Sequence, residues 1–438
     1  MKKVLSYLHN DGYLEIIIAV FYVLAFSMSS PLSVFNGFAK ILTSGSILYT
    51  DYVYIAGIGA AFFNVAIMMT ISHVSIKLLK IKITGPVYAG IIMLGGFSFF
   101  GKNPLNTLPL IIGVWLFHAH KRVPFSSLIL SLLFSSGISP IVSYPMFGAG
   151  LEYYIGIPVG IIIGITIGFI IPAFTAHTMA FHDGYSLYNT GFAIGILGAM
   201  IYAILIFAKI DVSREVLYDT ENHYSFYIYL YSMAALLIII AIISDHSVFK
   251  SYLKMLKTTG RSVSLYIRDF GISTVLLNLG FLDILITTVL ISFNIPMNGI
   301  LFGSVFSILG FAAYGMHIRN VTPVLIGASI SITIKCLIQG SLPNITDNMG
   351  EIVAFIFSTG LAPIAGKYGI LYGLLGGFVH IIFTPVVARM HGGLVLYNNG
   401  FSTGFEAAVF TICGERIFKR ERRRRIRNAG KSKDQQDN

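Results

Sequence analysis

Two short stretches carry the residue types best suited to holding a solute. Residues 182–195 read His-Asp-Gly-Tyr-Ser-Leu-Tyr-Asn-Thr-Gly-Phe-Ala-Ile-Gly, and residues 391–404 read His-Gly-Gly-Leu-Val-Leu-Tyr-Asn-Asn-Gly-Phe-Ser-Thr-Gly. His182, Tyr188, Asn189 and Gly191 thus recur 209 positions later as His391, Tyr397, Asn398 and Gly400. Both copies lie among apolar runs, where irregular backbone survives only if protein or a water-filled cavity satisfies it. A broken or re-entrant helix at each Tyr-Asn pair would present helix-end dipoles and amide groups to a ligand. An asparagine amide both donates and accepts, which suits a small, neutral polar solute. The glycines at 191, 195, 400 and 404 stand four apart and equally suit close helix packing. The two histidines fit either a proton relay or a helix end bonded to backbone.

A second pair of breaks lies earlier in each copy. Gly101-Lys102-Asn103-Pro104 aligns with Gly315-Met316-His317-Ile318, trailed by Asn106 and Asn320 and by Pro109 and Pro323. A proline in or near a span frees a carbonyl for a ligand or merely kinks the helix. Asn106 and Asn320 therefore join the candidate binding residues. Asp283, Lys335 and Glu406 are ionisable groups inside apolar runs, where charge is expensive and tends to face cavities. Asp283 and Glu406 are candidates for proton or cation coupling, with Met69 and Leu197 at their repeat positions. Lys335, near a helix end, is expected to snorkel. No HExxH, P-loop or nucleophile-elbow pattern is present, and Cys336 and Cys413 form no CxxC motif, so neither enzyme chemistry, nor a cofactor, nor a metal is expected.

Composition determines what kind of scaffold can hold these residues. The chain is 55% hydrophobic and 11% charged, far below the usual charge content of a soluble domain, and its mean hydropathy is +0.79. It reads as an all-α, polytopic helical membrane protein with about 14 spans, from 14–33 to 402–414. The organisation expected is an N-terminal helix and lead-in (1–50), a first repeat (51–208), a connector with one span at 225–243 (209–269), a second repeat (270–414) and a basic tail (415–438). The formal charge of +11 does not point to nucleic acid, because Arg422 to Arg425 and their neighbours come directly after the last apolar run. Such a cluster suits anionic lipid headgroups. Lys77, Lys80, Lys82, Lys121, Arg122, Lys250, Lys254, Lys257, Arg261 and Arg268 share one side with that tail, so the positive-inside rule puts both termini in the cytoplasm and the protein in the cell membrane. Lys102 and Arg389 fall on or near the outer side.

The duplication extends well beyond the opening stretches. At a shift of 214, Gly57, Asn64, Gly85, Gly96, Phe97, Gly101, Asn106 and Pro109 all meet identical residues. Gly168 to Gly195 matches Gly377 to Gly404 at 12 of 28 positions. Seven expected spans separate the two repeat starts, and an odd number turns the second repeat upside down. Two inverted repeats of about six helices, plus an N-terminal and a connecting helix, are the expected frame, with a site near the midplane.

The Gly-Lys-Asn-Pro-Leu-Asn-Thr-Leu-Pro and Leu-Tyr-Asn-x-Gly-Phe stretches resemble a bacterial family of integral membrane proteins of unknown function. Gly184-Tyr185-Ser186-Leu187-Tyr188-Asn189 also looks like the Gly-Tyr-Asn-Gly-x-Leu-Val-Gly motif of urea transporters, and Asn103-Pro104-Leu105 like their Asn-Pro-Leu segment. That likeness implies a channel for a small polar solute. The motifs lie farther apart here, and Asn-Pro is missing from the second copy. A membrane-embedded enzyme using His182, His391 and Asp183, or a structural component, are the alternative readings, and a homo-oligomer is open.

Overall fold

Proline and serine set the first turn of the chain. Helix α1 (Tyr13–Met28) ends before Ser30, whose hydroxyl accepts from the Ser33 amide and caps α2 (Pro31–Leu42) with proline in its first turn. The two helices are bent by 113°, so the first expected span is a broken one. The computed structural model describes residues 12–210, 212, 217–219, 223–262, 264–340 and 349–415. The basic tail beyond 415, Lys2, Lys3 and several acidic residues of the 209–224 loop lie outside them. The described residues form helices and no named strand.

The first half contains α3 (Tyr52–Ala56), α4 (Ile58–Leu78), α5 (Gly85–Phe97), α6 (Pro104–Lys121), a bent pair (Phe125–Ile138 and Pro140–Gly148), α7 (Tyr153–Phe181) and α8 (Asn189–Phe207). The connector holds α9 (Tyr224–Ser244) and α10 (Val248–Met255). The second half contains α11 (Tyr266–Phe270), α12 (Ile272–Ser292), α13 (Gly299–Leu309), α14 (Ile318–Ile338), α15 (Met349–Phe357), α16 (Ala362–Tyr368), α17 (Ile370–Met390) and α18, residues 398–415. Among the described residues, eight helices are long and apolar enough to cross a membrane, or up to ten if each bent pair is one span. These long apolar helices suit a multi-pass membrane protein. About fourteen spans were expected. The difference arises because several apolar runs are short or broken: α5, at 13 residues, is about 20 Å long, well under a hydrocarbon core of about 30 Å.

The two halves repeat each other in their hydrogen bonds. The Asn64 side-chain amide on α4 donates to the carbonyls of Ser98 and Lys102, at 2.7 and 2.8 Å; Asn278 on α12 donates to those of Ala312 and Met316, at 2.9 and 2.7 Å. All four carbonyls belong to breaks after a short apolar helix, where the helical ladder stops and a buried acceptor must find another donor. Beyond each break lies a reciprocal capping box. Asn103 with Asn106 opens α6, and His317 with Asn320 opens α14.

The halves meet through antiparallel helices. Along α5 and α13, Gly85 lies against Ala313, Ala89 against Gly310, and Gly96 against Gly303, so one helix ascends as the other descends. Gly96 and Gly303 permit this, since a methyl on either would come within 2.3 Å of the other's carbonyl oxygen. Helices α8 and α18 also cross, with Gly191 on Gly400, Gly195 on Phe401 and Phe192 on Gly404.

Asn64→Ala and Asn278→Ala should destabilise the protein to a similar degree, since each strands two buried carbonyls at about 1–3 kcal/mol per group. Thermal unfolding in detergent measures this; an unchanged midpoint in both variants would show that the breaks hold themselves.

Candidate functional site

Each duplicated stretch forms a corner between two long helices. Asp183 and Gly184 have φ of 51° and 74°, and their repeat mates Gly392 and Gly393 have 57° and 82°. Two successive left-handed residues reverse the chain after α7 and after α17, and glycine at three of the four places carries no steric penalty there. The corners then reach into opposite halves. The Leu187 amide donates to the Gly360 carbonyl at 3.2 Å, and the Leu396 amide to the Gly137 carbonyl at 2.9 Å. Tyr188 lies on Gly360 and Tyr397 on Gly137, where an added methyl would fall 2.3 and 2.1 Å from the respective ring. Phe97 packs on Tyr397 with ring centres 4.9 Å apart, and Phe311 packs on Tyr188 at 4.7 Å. A segment ahead of each repeat bonds the other repeat's corner: the Leu48 amide donates to the Gly393 carbonyl at 2.8 Å, and the Ser262 amide to that of Gly184 at 2.9 Å.

The sequence-expected residues divide by what their polar atoms do. Asn189 accepts from the Thr178 hydroxyl at 3.0 Å and from His182 Nε2 at 3.1 Å, and it donates to the Thr175 carbonyl at 3.2 Å. His182 Nδ1 accepts from the Ser186 amide at 3.4 Å, which assigns the proton to Nε2. His391 Nε2 donates instead to the backbone carbonyl of Gly195 at 3.0 Å, a bond between the halves. Asn398 is fully buried; its oxygen accepts from the Asn399 amide at 2.8 Å, while its side-chain nitrogen has no acceptor among the described residues. Gly191 and Gly400 form the crossing. Asn106 and Asn320 are brought to neither corner: their amides close the capping boxes and donate to the carbonyls of Gly101 and Gly315, at 3.0 and 2.9 Å.

Two groups that sequence reasoning passed over sit beside the corners. Lys102, expected on or near the outer side, is completely buried by the break that succeeds α5. Its amine donates to the Tyr397 hydroxyl and lies 4.5 Å from that ring's centre and 5.1 Å from that of Phe97. No carboxylate pairs with it among the described residues. His380 on α17 is also fully buried; its Nδ1 is 2.9 Å from Glu406 and its Nε2 3.1 Å from the Asn399 side-chain oxygen. Lys102, His380 and Glu406 replace Met316, Ile171 and Leu197 of the other half. Glu406 was already a sequence candidate; the same comparison of repeat mates is the signal that could have found Lys102 and His380. Asp283 is buried elsewhere, on α12, with one oxygen bonded to Thr287 at 3.0 Å. Lys335, in the last turn of α14, is partly exposed and pairs with Glu351.

A cavity of about 90 Å³ lies between the corners, lined by Tyr188, Asn189, Thr190, Gly191, Tyr397 and neighbouring apolar side chains. Its polar wall comes mainly from the first copy, where Asn189 and Thr190 are half-buried. In the second copy Asn398 and Asn399 are 0% and 3% exposed. The sequence matches the model of a family described as "Protein of unknown function (DUF1576)" over residues 30–207 and 244–414. The chain belongs to this family. No curated protein and no solved structure matches it. The two DUF1576 segments leave most of α9 between them, so the match covers both halves and omits the connecting helix.

In this DUF1576 protein the corner contacts leave no room for a side chain. Gly137→Ala or Gly360→Ala should destabilise the fold by about 1–3 kcal/mol, as overpacking does. Lys102→Met, which installs the residue of the other half, should raise the unfolding midpoint, because a lone buried amine is exchanged for an apolar chain of similar length. A lower midpoint for Lys102→Met would mean that the amine is stabilising.

Proposed function

We propose that this protein is a membrane transporter or channel for a small polar solute, with its site where the two Tyr-Asn corners meet. One observation supports it above others: two equivalent corners adjoin one cavity, yet one is partly open and its twin is sealed. Duplicated halves with unequal access are what alternating exposure of a single site requires. The two halves are read as inverted repeats. Both crossings that join them, α5 with α13 and α8 with α18, are antiparallel, and a two-fold rotation giving antiparallel pairs has its axis across the helices. For helices standing in a bilayer, such an axis lies in the membrane plane.

The cavity's chemistry favours a neutral solute over an ion. Its lining offers amide, hydroxyl and aromatic groups and no Asp, Glu, Lys or Arg, in keeping with the likeness to urea-channel motifs. Glu406, hydrogen-bonded to His380 and linked through Asn399 to Asn398, is the better-placed coupling candidate. Asp283 lines neither corner and is the weaker one. The enzyme reading loses ground because His182 and His391 are occupied by Asn189 and by a backbone carbonyl rather than gathered with Asp183. Cytoplasmic termini in a cell membrane, anionic headgroups at the basic tail and a homo-oligomer complete the reading, with no nucleic acid.

Uptake into proteoliposomes, screened over small neutral solutes, tests it. Asn189→Ala and Asn398→Ala should each reduce flux by about tenfold or more, the scale on which losing buried hydrogen bonds to a solute acts. Flux equal to wild type in both would remove the corners from the pathway. Cysteines at 190 and 399 address exposure separately. Thr190→Cys should react with a membrane-impermeant reagent from one side, and Asn399→Cys only from the other; labelling of both from a single side would defeat the alternating scheme.

A further inference from the structure

A larger hollow, away from the corners, is lined by a different chemistry. It has a volume of about 540 Å³, within the range of small-ligand sites. Three separate segments wall it: the turn after α10 at Leu256 to Thr258, the first turn of α14, and the junction of α16 with α17. Each contributes one cation, Lys257, Arg319 and Lys367, and no Asp or Glu lines the space. Among the described residues none of the three takes part in an ion pair. Asp183 and Glu415 act electrostatically on Tyr368, a lining residue, without themselves lining the hollow.

The walls are held in place. His317 and Asn320 form the buried floor, and their side chains are engaged in capping α14 and in bonding Thr258. Gly366 lies so close to the Thr259 carbonyl that a methyl would approach within 2.2 Å, which pins α16 to the turn bearing Lys257. Helix α17, 21 residues long, starts at this hollow with no side-chain cap, so the positive end of its dipole adds to the three cations. Like charges gathered on fixed walls repel one another, and an anion seated among them relieves that repulsion and gains charge-assisted hydrogen bonds.

We propose that Lys257, Arg319 and Lys367 form a binding site for a phosphate-class anion, independent of the solute path. Arg319 supplies a planar fork for phosphate oxygens, and the two lysines supply compact charge. The anion could come from an anionic phospholipid headgroup or from a free phosphate compound. The basic loop 244–270, which holds Lys257, is on the side where the positive-inside rule places the cytoplasm, and both sources are found there.

The test uses the full-length protein, delipidated in a neutral detergent. In one arm, inorganic pyrophosphate is titrated at low salt and binding is read by calorimetry. In the other, native mass spectrometry counts phosphatidylglycerol retained relative to phosphatidylcholine. Pyrophosphate binding that weakens about tenfold or more in Lys257→Gln, Arg319→Gln and Lys367→Gln, is retained in Lys367→Arg and is unchanged in the distant Lys40→Gln would support a free-phosphate ligand. Preferential phosphatidylglycerol retention, lost in the same three variants and without pyrophosphate binding, would support a headgroup. Should neither anion bind, or should the neutralised variants bind as wild type does, the site is overturned. If a glutamine variant does not fold, the Lys367→Arg and Lys367→Gln pair alone decides, since both keep a long polar chain on an exposed position.

Discussion

Everything in this protein hangs on an exchange between its halves. Each half makes a polar corner and inserts its tyrosine into a space bounded by a glycine of the other: Tyr188 against Gly360, and Tyr397 against Gly137. The backbone bonds from Leu187 and Leu396 run the same way, so each corner has its unpaired amide satisfied by the opposite half. In an apolar surrounding an unsatisfied amide is severely penalised, and this makes the exchange obligatory. Neither half could close its own corner, and a single copy would leave it open. Duplication here is a structural necessity.

A symmetric frame would by itself do nothing directional. The chemistry is placed off the symmetry: Lys102, His380 and Glu406 each face the polar corners where the other half has methionine, isoleucine and leucine. Burying such groups opposes folding. The fold tolerates them because the breaks and corners around them supply hydroxyl, amide and aromatic partners. That these departures lie on the sealed side, with Asn398 and Asn399, ties the chemical asymmetry to the difference in access. The 90 Å³ cavity touches the ordinary copy, and the ionisable groups crowd the closed one.

The sequence disclosed the frame more readily than the site. Repeated glycines, Asn64 with Asn278 and the two Tyr-Asn pairs were legible because they recur in register, and recurrence stands out against an apolar background. The breaks were legible as prolines and asparagines, yet their purpose was not. Asn106 and Asn320 look like solute ligands in a sequence and act as helix caps in the structure, because a capping box and a binding amide use the same residue types. Span number comes out too high for a related reason. Hydropathy sees an apolar run but not that α5 stops at 13 residues, or that Ser30 and Pro31 turn the chain by 113°. His380 was hidden inside an apolar helix, and only its pairing with Glu406, 26 residues away, gives it meaning.

Motion between the halves is constrained by where the glycines lie. The crossings at Gly96 with Gly303 and Gly191 with Gly400 bring backbone close to backbone, and side chains lock in beside them: Ser307 on Gly96, Phe401 on Gly195 and Phe192 on Gly404. Sliding such a crossing would mean repacking those side chains, because close-packed surfaces are not continuously deformable. The tyrosines and the backbone bonds from Leu48 and Ser262 are likewise tightly seated. Both the glycine crossings and these backbone bonds therefore resist displacement of one half against the other. Leu48 and Ser262 are equivalent by sequence position and bond opposite corners, so the same contact, made twice, ties both corners down together.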